Sequence, residues 1–114
     1  MKVVVVVGSQ RTPSASARVG QYVALQLEDQ FTASTFVLEL ATAELGFWDT
    51  DFSSKSGPQW QAWAPISDQL KMADALVFVF PEWGGMAPPI MKNFMLLASK
   101  DEIGDKPALL VSVS

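Results

Sequence analysis

The fold class follows from the segment V-V-V-V-V-G-S-Q-R-T-P-S-A-S-A-R, which runs from Val3 to Arg18. Five consecutive valines predict a central strand that is buried on both faces, as in a parallel sheet. Gly8 permits a tight turn out of that strand, and Ser14 or Ser16 is placed to cap a helix that we expect to end near Asp29. A strand that passes through a hydroxyl-rich loop into a helix is typical of an open α/β fold.

The rest of the chain continues this alternation of strands and helices. Further strands are predicted over Thr35 to Leu40, Ala75 to Phe80 and Ala108 to Val113. Helices are predicted from Pro65 to Asp74 and from Pro88 to about Ser99, and residues 41–64 are expected to form an irregular connection. The pattern predicts one α/β domain over residues 1–114, with a parallel sheet, right-handed crossovers and helices on both faces. Because the last strand would leave an exposed apolar edge, we expect that the domain lacks its C-terminal part.

The composition excludes several kinds of chemistry. The 114 residues include no cysteine and no histidine, so thiol nucleophiles, histidine bases, disulfides and the usual zinc sites are absent. A net charge of −4 argues against nucleic acid and acidic membranes as partners. No apolar run approaches the roughly 20 residues that span a bilayer. We therefore expect a cytoplasmic protein whose chemistry comes from a bound cofactor, with no metal and no catalytic side chain.

The loop after the first strand has the composition of a phosphate site. Ser9, Thr12, Ser14 and Ser16 offer hydroxyl groups at the start of a helix, where backbone N–H groups and the helix dipole favour an anion. Arg11 adds a charged donor, and the chain has no other arginine except Arg18. The loop lacks both the Gly-Lys-Ser/Thr triphosphate motif and the Gly-x-Gly-x-x-Gly dinucleotide motif. A terminal monophosphate fits best; the alternative is a turn and helix cap without a ligand.

A second loop, P-E-W-G-G-M-A-P-P from Pro81 to Pro89, follows the third strand. The pair Gly84-Gly85 predicts an unusual backbone that can approach a planar ligand closely, while Trp83 can provide an aromatic wall. The alternative is a simple turn with a tryptophan in the core. Both loops follow parallel strands, so they should meet at the carboxyl edge of the sheet, where open α/β folds bind ligands.

Taken together, G-S-x-R-x-x-S-x-S-x-R and P-E-W-G-G-M-x-P-P-x-M-K-N-F resemble the NAD(P)H-dependent FMN reductase family of the flavodoxin-like superfamily, over Lys2 to Ser114. The resemblance implies a three-layer flavodoxin-like fold with strand order 2-1-3-4, the family's fifth strand being absent from this sequence. It also implies FMN bound by these residues: Ser9, Arg11, Ser14 and Ser16 at the phosphate, and Pro81, Glu82, Trp83 and Gly84 at the ribityl chain and ring. Many relatives carry tyrosine and asparagine where this chain has Trp83 and Gly84, so only backbone contacts carry over at Gly84.

The same resemblance implies an oxidoreductase that takes hydride from NAD(P)H as co-substrate. The electrons would pass to a small-molecule acceptor such as a quinone, an azo compound, a metal oxyanion or a second flavin. Two alternatives remain open at this point: a non-catalytic flavin-binding electron carrier, and an inactive truncated member of the family.

The helix predicted from Pro88 to Ser99 carries two apolar stripes, Ile90-Phe94-Leu97 and Met91-Met95-Ala98. One stripe can cover the sheet, and the other needs a different partner. We therefore expect a homo-oligomer, a dimer or tetramer, whose interface includes this helix.

Overall fold

The computed structural model describes residues 1–114 and contains a four-stranded parallel sheet with helices on both faces. The elements in chain order are β1 (Lys2–Val7), α1 (Ala15–Phe31), β2 (Ser34–Glu39), α2 (Thr50–Ser53), α3 (Gly57–Met72), β3 (Ala75–Pro81), α4 (Pro89–Leu97), α5 (Lys100–Ile103) and β4 (Ala108–Val113). The strand order is β2-β1-β3-β4, which confirms the predicted sheet. All three pairings are parallel, so the carboxyl ends of the strands share one edge.

The valines of β1 divide the core into two layers. Val3 and Val5 face α1, together with Val77 and Val79 of the neighbouring strand β3. Val4 and Val6 belong to the larger cluster on the opposite face, which α3 and α4 cover. Successive side chains of a strand point to opposite faces, so an unbroken run of valines fills both layers at once. This result confirms that β1 is a central strand buried on both sides.

Helix α1 packs closely on the sheet because its inner positions are small. Its buried residues are Ser16, Gly20 and Ala24, and Val19, Val23 and Leu27 pack beside them. A Cβ atom at Gly20 would lie 2.7 Å from Cγ2 of Val7, so any larger residue would push the helix away from β1. The helix begins after its N-cap Ser14, one of the two predicted caps, and ends at Phe31, two residues beyond the predicted end.

The prediction for residues 41–64 was wrong in its second half. Instead of an irregular connection up to Pro65, the chain forms α2 and then starts α3 at Gly57, so that Pro65 lies inside a helix of 16 residues. A proline in this position removes the N–H that would donate to the Gln61 carbonyl, at a cost of about 3 kcal/mol. The compensation is tertiary: Trp63, Ser67 and Leu70 on one face of α3 are all buried against the rest of the core.

Helix α4 buries one broad face rather than two separate stripes. Met91, Phe94 and Leu97 are buried within the chain, whereas Met95 is 43% exposed and Leu96 is 64% exposed. Met91 therefore belongs to the core of the subunit, and the outward apolar surface consists of Met95 with Leu96. Strand β4 has the predicted bounds and lies at the edge of the sheet, where Leu109 and Leu110 are exposed. None of the helices has the length and apolar character that crossing a membrane requires.

Candidate functional site

A cleft of about 250 Å³ lies at the carboxyl edge of the sheet, between the first and second loops. We call it the cofactor cleft; it is lined by Ser9, Arg11, Ser14, Ala15, Ser16, Pro81, Glu82, Trp83, Val113 and Ser114. Seven of the eight predicted site residues are in this set, and Gly84 is the exception. The two loops meet because β1 and β3 are adjacent and parallel.

Gly8 joins the end of β1 to both β3 and α4. Its N–H donates to the Val79 carbonyl at 2.8 Å, which extends the pairing of β1 and β3 into the first loop. A Cβ atom at this position would lie 2.5 Å from Sδ of Met91, so α4 packs directly on the glycine backbone. A larger residue at this position would force the buried Met91 side chain to move.

Three serines of the first loop have different hydrogen-bonding roles. Oγ of Ser9 accepts the N–H of Arg11 at 3.2 Å, and Oγ of Ser14 accepts the N–H of Ala17 at 3.0 Å as the cap of α1. Ser16 is only 1% exposed, lines the cofactor cleft and makes no hydrogen bond within the chain. Because the Ser16 hydroxyl is reached from the cleft and has no partner in the chain, it is available to a ligand there.

The first loop is also the positive side of the cleft. The backbone N–H groups of Ala15 and Ser16, at the start of the 17-residue helix α1, donate to no group in the chain. Arg11 lines the cleft and forms no ion pair, since the single ion pair of the chain joins Lys100 and Asp105. Free N–H groups at a helix N-terminus, an unpartnered hydroxyl and a free guanidinium form a donor set that suits a phosphate.

The second loop is a tight hairpin turn. Trp83 and Met86 exchange two backbone hydrogen bonds of 3.0 and 3.2 Å, and Gly84 and Gly85 between them have φ angles of 61° and 77°. Two consecutive positive φ angles are typical of a type I′ turn, which explains the glycine pair. Oε2 of Glu82 accepts the N–H of Gly85 at 3.1 Å and holds the turn in place.

The unusual backbone that was predicted for Gly84 is explained by the turn itself. A Cβ atom there would contact nothing within 4 Å, and the residue is exposed and outside the cofactor cleft. The turn needs the positive φ angle at this position. The wall of the cleft on this side consists of Pro81, Glu82 and the partly buried Trp83.

Other candidate residues of the first loop lie elsewhere, and some lining residues were not predicted. Thr12 and Arg18 border a shallow surface depression beside Tyr22 and do not line the cofactor cleft. Sequence reasoning missed Ala15, and it missed Val113 and Ser114 at the end of β4. Val113 and Ser114 could have been predicted from the position of β4 in a parallel sheet. Val113 pairs with Pro81 in a parallel register, so the end of β4 reaches the same edge as the end of β3.

The donor set of the cleft fits FMN and offers no metal site. The structure has no group of three or more acidic side chains that could hold a metal ion. Ser16, Arg11 and the free N–H groups of α1 match a terminal phosphate, and the wall from Pro81 to Trp83 offers an apolar and aromatic surface to a flat ring.

Comparison with known proteins identifies the family. The model of the family described as NADPH-dependent FMN reductase matches residues 1–114. A quinone reductase from Pseudomonas putida strain KT2440 is 27% identical over 117 residues, which cover 98% of this chain and 59% of that protein. The chain thus spans about three fifths of the length of this curated relative.

Solved structures agree in fold. The flavoenzyme FerB from Paracoccus denitrificans, an NAD(P)H:(acceptor) oxidoreductase, superposes with a TM-score of 0.75 at 20% identity, over 99% of this chain and 60% of that one. The azoreductase AzrA gives a TM-score of 0.72 at 21% identity, over 98% of this chain and 68% of that one. The fold is flavodoxin-like, and, since the family model covers every residue of the chain, the protein belongs to the NADPH-dependent FMN reductase family.

Proposed function

We propose that the cofactor cleft binds FMN and that the protein works as an NAD(P)H-dependent oxidoreductase. The observation that carries this proposal is the unpartnered Ser16 hydroxyl, which lines the cleft beside Arg11 and the free N–H groups of α1. The chemistry that bound FMN supplies is the acceptance of hydride from a reduced nicotinamide and the delivery of electrons to a small acceptor.

The residues of the chain position the cofactor and leave the redox chemistry to it. Ser9, Arg11, Ser14 and Ser16 would hold the phosphate, in keeping with the anion preference of a helix N-terminus. Pro81, Glu82 and Trp83 would line the ribityl chain and the ring, with Gly84 supporting the turn. Hydride transfer needs no protonating side chain, which suits a chain that has no histidine.

We infer the electron acceptor from the similar proteins and the cellular compartment from the composition. The names of the similar proteins include quinone reductase and azoreductase, so a quinone or an azo compound is the acceptor that we propose first. A metal oxyanion or a second flavin would use the same exposed ring. We place the protein in the cytoplasm, because it lacks cysteine and has no helix suited to crossing a membrane. The alternative, an electron carrier without nicotinamide activity, would bind FMN and leave NADPH unoxidised.

The two arginines provide a matched pair for testing this function. Replacing Arg11 with alanine should weaken FMN binding by about 1.5–3 kcal/mol, or roughly 10- to 150-fold in Kd, because a hydrogen-bonded charge pair with the phosphate is lost. Arg18→Ala removes the same charge outside the cleft and should leave the Kd within about twofold of the wild type, because Arg18 is exposed and its charge is screened by salt. FMN fluorescence quenching measures the Kd of each protein.

Activity is measured on the same three proteins by the oxidation of NADPH in the presence of FMN and a quinone. The wild type and Arg18→Ala should consume NADPH, and Arg11→Ala should need proportionally more FMN to reach the same rate. Equal FMN affinity in the two variants would contradict the phosphate assignment. FMN binding without NADPH or NADH oxidation would favour the electron carrier.

We also propose that the protein forms a homo-oligomer through the outward face of α4. Met95 and Leu96 are exposed on this helix, and Met86 is exposed beside it. Met95 also borders an apolar cleft between α4 and the sheet. The lining of this cleft includes Phe80 of β3 and Leu110 of the edge strand β4. Exposed apolar side chains beside an apolar cleft favour burial against another subunit.

Met95→Glu is the variant that tests the oligomer. A charge in the centre of a buried apolar interface should shift the assembly towards monomer, and sedimentation velocity at micromolar concentration measures the shift. Met72→Glu, at an exposed methionine at the end of α3, is the control and should leave the assembly unchanged. Met91→Glu is unsuitable, since Met91 is buried in the subunit and its substitution would disrupt the fold. A wild-type monomer would rule the proposal out.

A further inference from the structure

The first turn of α4 receives its cap from a distant part of the chain. Pro88, the residue before the helix, has no side-chain acceptor, and Pro89, the first helical residue, has no N–H. The N–H of Met91 donates to the Pro88 carbonyl at 3.0 Å. This leaves the N–H of Ile90, which donates to Oε1 of Gln10 at 3.1 Å. Gln10 therefore supplies the cap that the proline before the helix cannot provide.

Gln10 belongs to the first loop and lies 80 residues before Ile90 in the chain. Its neighbours on either side, Ser9 and Arg11, line the cofactor cleft, whereas Gln10 does not. Gln10 instead borders a separate depression over the start of α4, which Pro89 also lines. The glutamine thus connects the backbone between two proposed phosphate ligands to the neighbouring helix.

The first loop contacts α4 at a second point, at the end of β1. A Cβ atom at Gly8 would lie 2.5 Å from Sδ of Met91, so the backbone at this residue packs on the same helix. Between the two contacts, the Ser9 hydroxyl accepts the N–H of Arg11 at 3.2 Å. Because α4 directly follows the second loop, these contacts tie the phosphate loop to the loop that carries the wall from Pro81 to Trp83.

The position of the Arg11 guanidinium depends on this backbone. The Arg11 side chain is exposed and forms no ion pair, so no charged partner in the chain restrains it. The loop is held on its far side by Ser14, whose hydroxyl caps α1, and on its near side by Gln10. A binding group on a restrained loop loses less conformational entropy when the ligand binds, which increases the affinity.

From these contacts we infer that Gln10 is a positioning residue for the cofactor phosphate. By capping α4, it restrains the loop from which Arg11 extends and so strengthens the preference of the cleft for FMN over riboflavin, which lacks the phosphate. The inference rests on the proposed function, because it gives Gln10 a part in FMN binding. The competing explanation is that Gln10 only stabilises the start of α4.

Gln10→Met tests the inference, because methionine has a side chain of similar length without the acceptor oxygen. The Kd for FMN should rise about fivefold, within the range for one lost hydrogen bond, while the Kd for riboflavin should change by less than about twofold. Gln30→Met, which removes an exposed hydrogen bond to Gln26 at the far end of α1, is the control and should change neither Kd. Flavin fluorescence quenching measures both ligands.

A double-mutant cycle shows whether Gln10 acts through Arg11. In the Arg11→Ala background, Gln10→Met should change the Kd for FMN by less than about twofold, because the group that it positions is gone. Amide hydrogen exchange of the cofactor-free protein tests the contact itself. The Ile90 amide should exchange faster in Gln10→Met than in the wild type and at the wild-type rate in Gln30→Met.

Three results would overturn the inference in a wild type that binds FMN: an equal loss of affinity for FMN and riboflavin, effects of Gln10→Met and Arg11→Ala that simply add, or an unchanged Kd for FMN. An Ile90 amide that exchanges equally fast in the wild type and in Gln10→Met would remove its structural basis. A wild type that binds riboflavin and FMN equally well, or neither, would instead contradict the proposed phosphate site and the inference with it.

Discussion

Replacing Trp63 with alanine is expected to lower the free energy of unfolding by about 4 kcal/mol, within the range for a buried tryptophan. Trp63 is fully buried at the centre of the larger core cluster. Its ring centroid lies 6.0 Å from that of Phe52 and 5.7 Å from that of Phe94, so the ring joins α3 to α2 and α4. Alanine would leave a cavity between these three helices.

The loss of a hydrogen bond adds to the cost of the cavity. Nε1 of Trp63 donates to Oε2 of Glu102 at 2.7 Å, and Glu102 is itself buried. A buried carboxylate oxygen that loses its donor costs about 1–3 kcal/mol. Trp63→Phe isolates the contribution of the hydrogen bond, since phenylalanine keeps most of the ring and lacks the N–H.

Urea unfolding followed by circular dichroism measures both variants. Trp63→Phe should lose about 2 kcal/mol, and it provides a measurement even if Trp63→Ala does not fold. Trp48→Ala, at a tryptophan that is 41% exposed, is the control and should lose less, about 1–2 kcal/mol. If Trp63→Ala were no more destabilising than Trp48→Ala, the role of α3 in the core would have to be reconsidered.

The second large effect is expected from Ser14→Asp, which should raise the Kd for FMN by about 100-fold or more. Ser14 caps α1 and lines the cofactor cleft. Aspartate is as good an N-cap as serine and favours the helix dipole, so the melting temperature should not fall. At about 4 Å from a phosphate, however, the added charge is repelled by several kcal/mol at the effective dielectric constant of about 20 near a protein surface.

Riboflavin distinguishes this explanation from a general distortion of the cleft. It carries the ring and the ribityl chain without the phosphate, so Ser14→Asp should change its affinity little. Ser14→Ala, unlike Ser14→Asp, removes the helix cap, so it should lower the free energy of unfolding by about 1 kcal/mol. A Ser14→Asp protein that binds FMN as the wild type does would place the phosphate elsewhere and leave the first loop as a helix cap only.

The candidate site could largely be predicted from the sequence, because its residues lie in the loops that follow the strands. Parallel pairing of β1 with β3 brings the loops after these strands to one edge, whatever the details of packing. Gly84 does not line the cleft, and the turn requires its positive φ angle. The FMN-binding roles of the eight residues stay a prediction that the Arg11 and Ser14 variants address.

Local physical chemistry was sufficient for the strands and for limiting the cap of α1 to Ser14 or Ser16, whereas the order of the sheet was predicted from the resemblance to the family. Three local features act within a few residues of the chain: runs of β-branched residues, a serine before a helix and a glycine after a strand. Their effects can therefore be predicted without knowledge of the fold. The start of α3 at Gly57, the passage of that helix through Pro65 and the burial of Met91 rather than Met95 depend on tertiary contacts. Trp63 reaches Glu102, which lies 39 residues away in the chain, and Met91 reaches Gly8. Burial across such distances outweighs the penalty of a proline inside a helix, and no short window of sequence contains both partners.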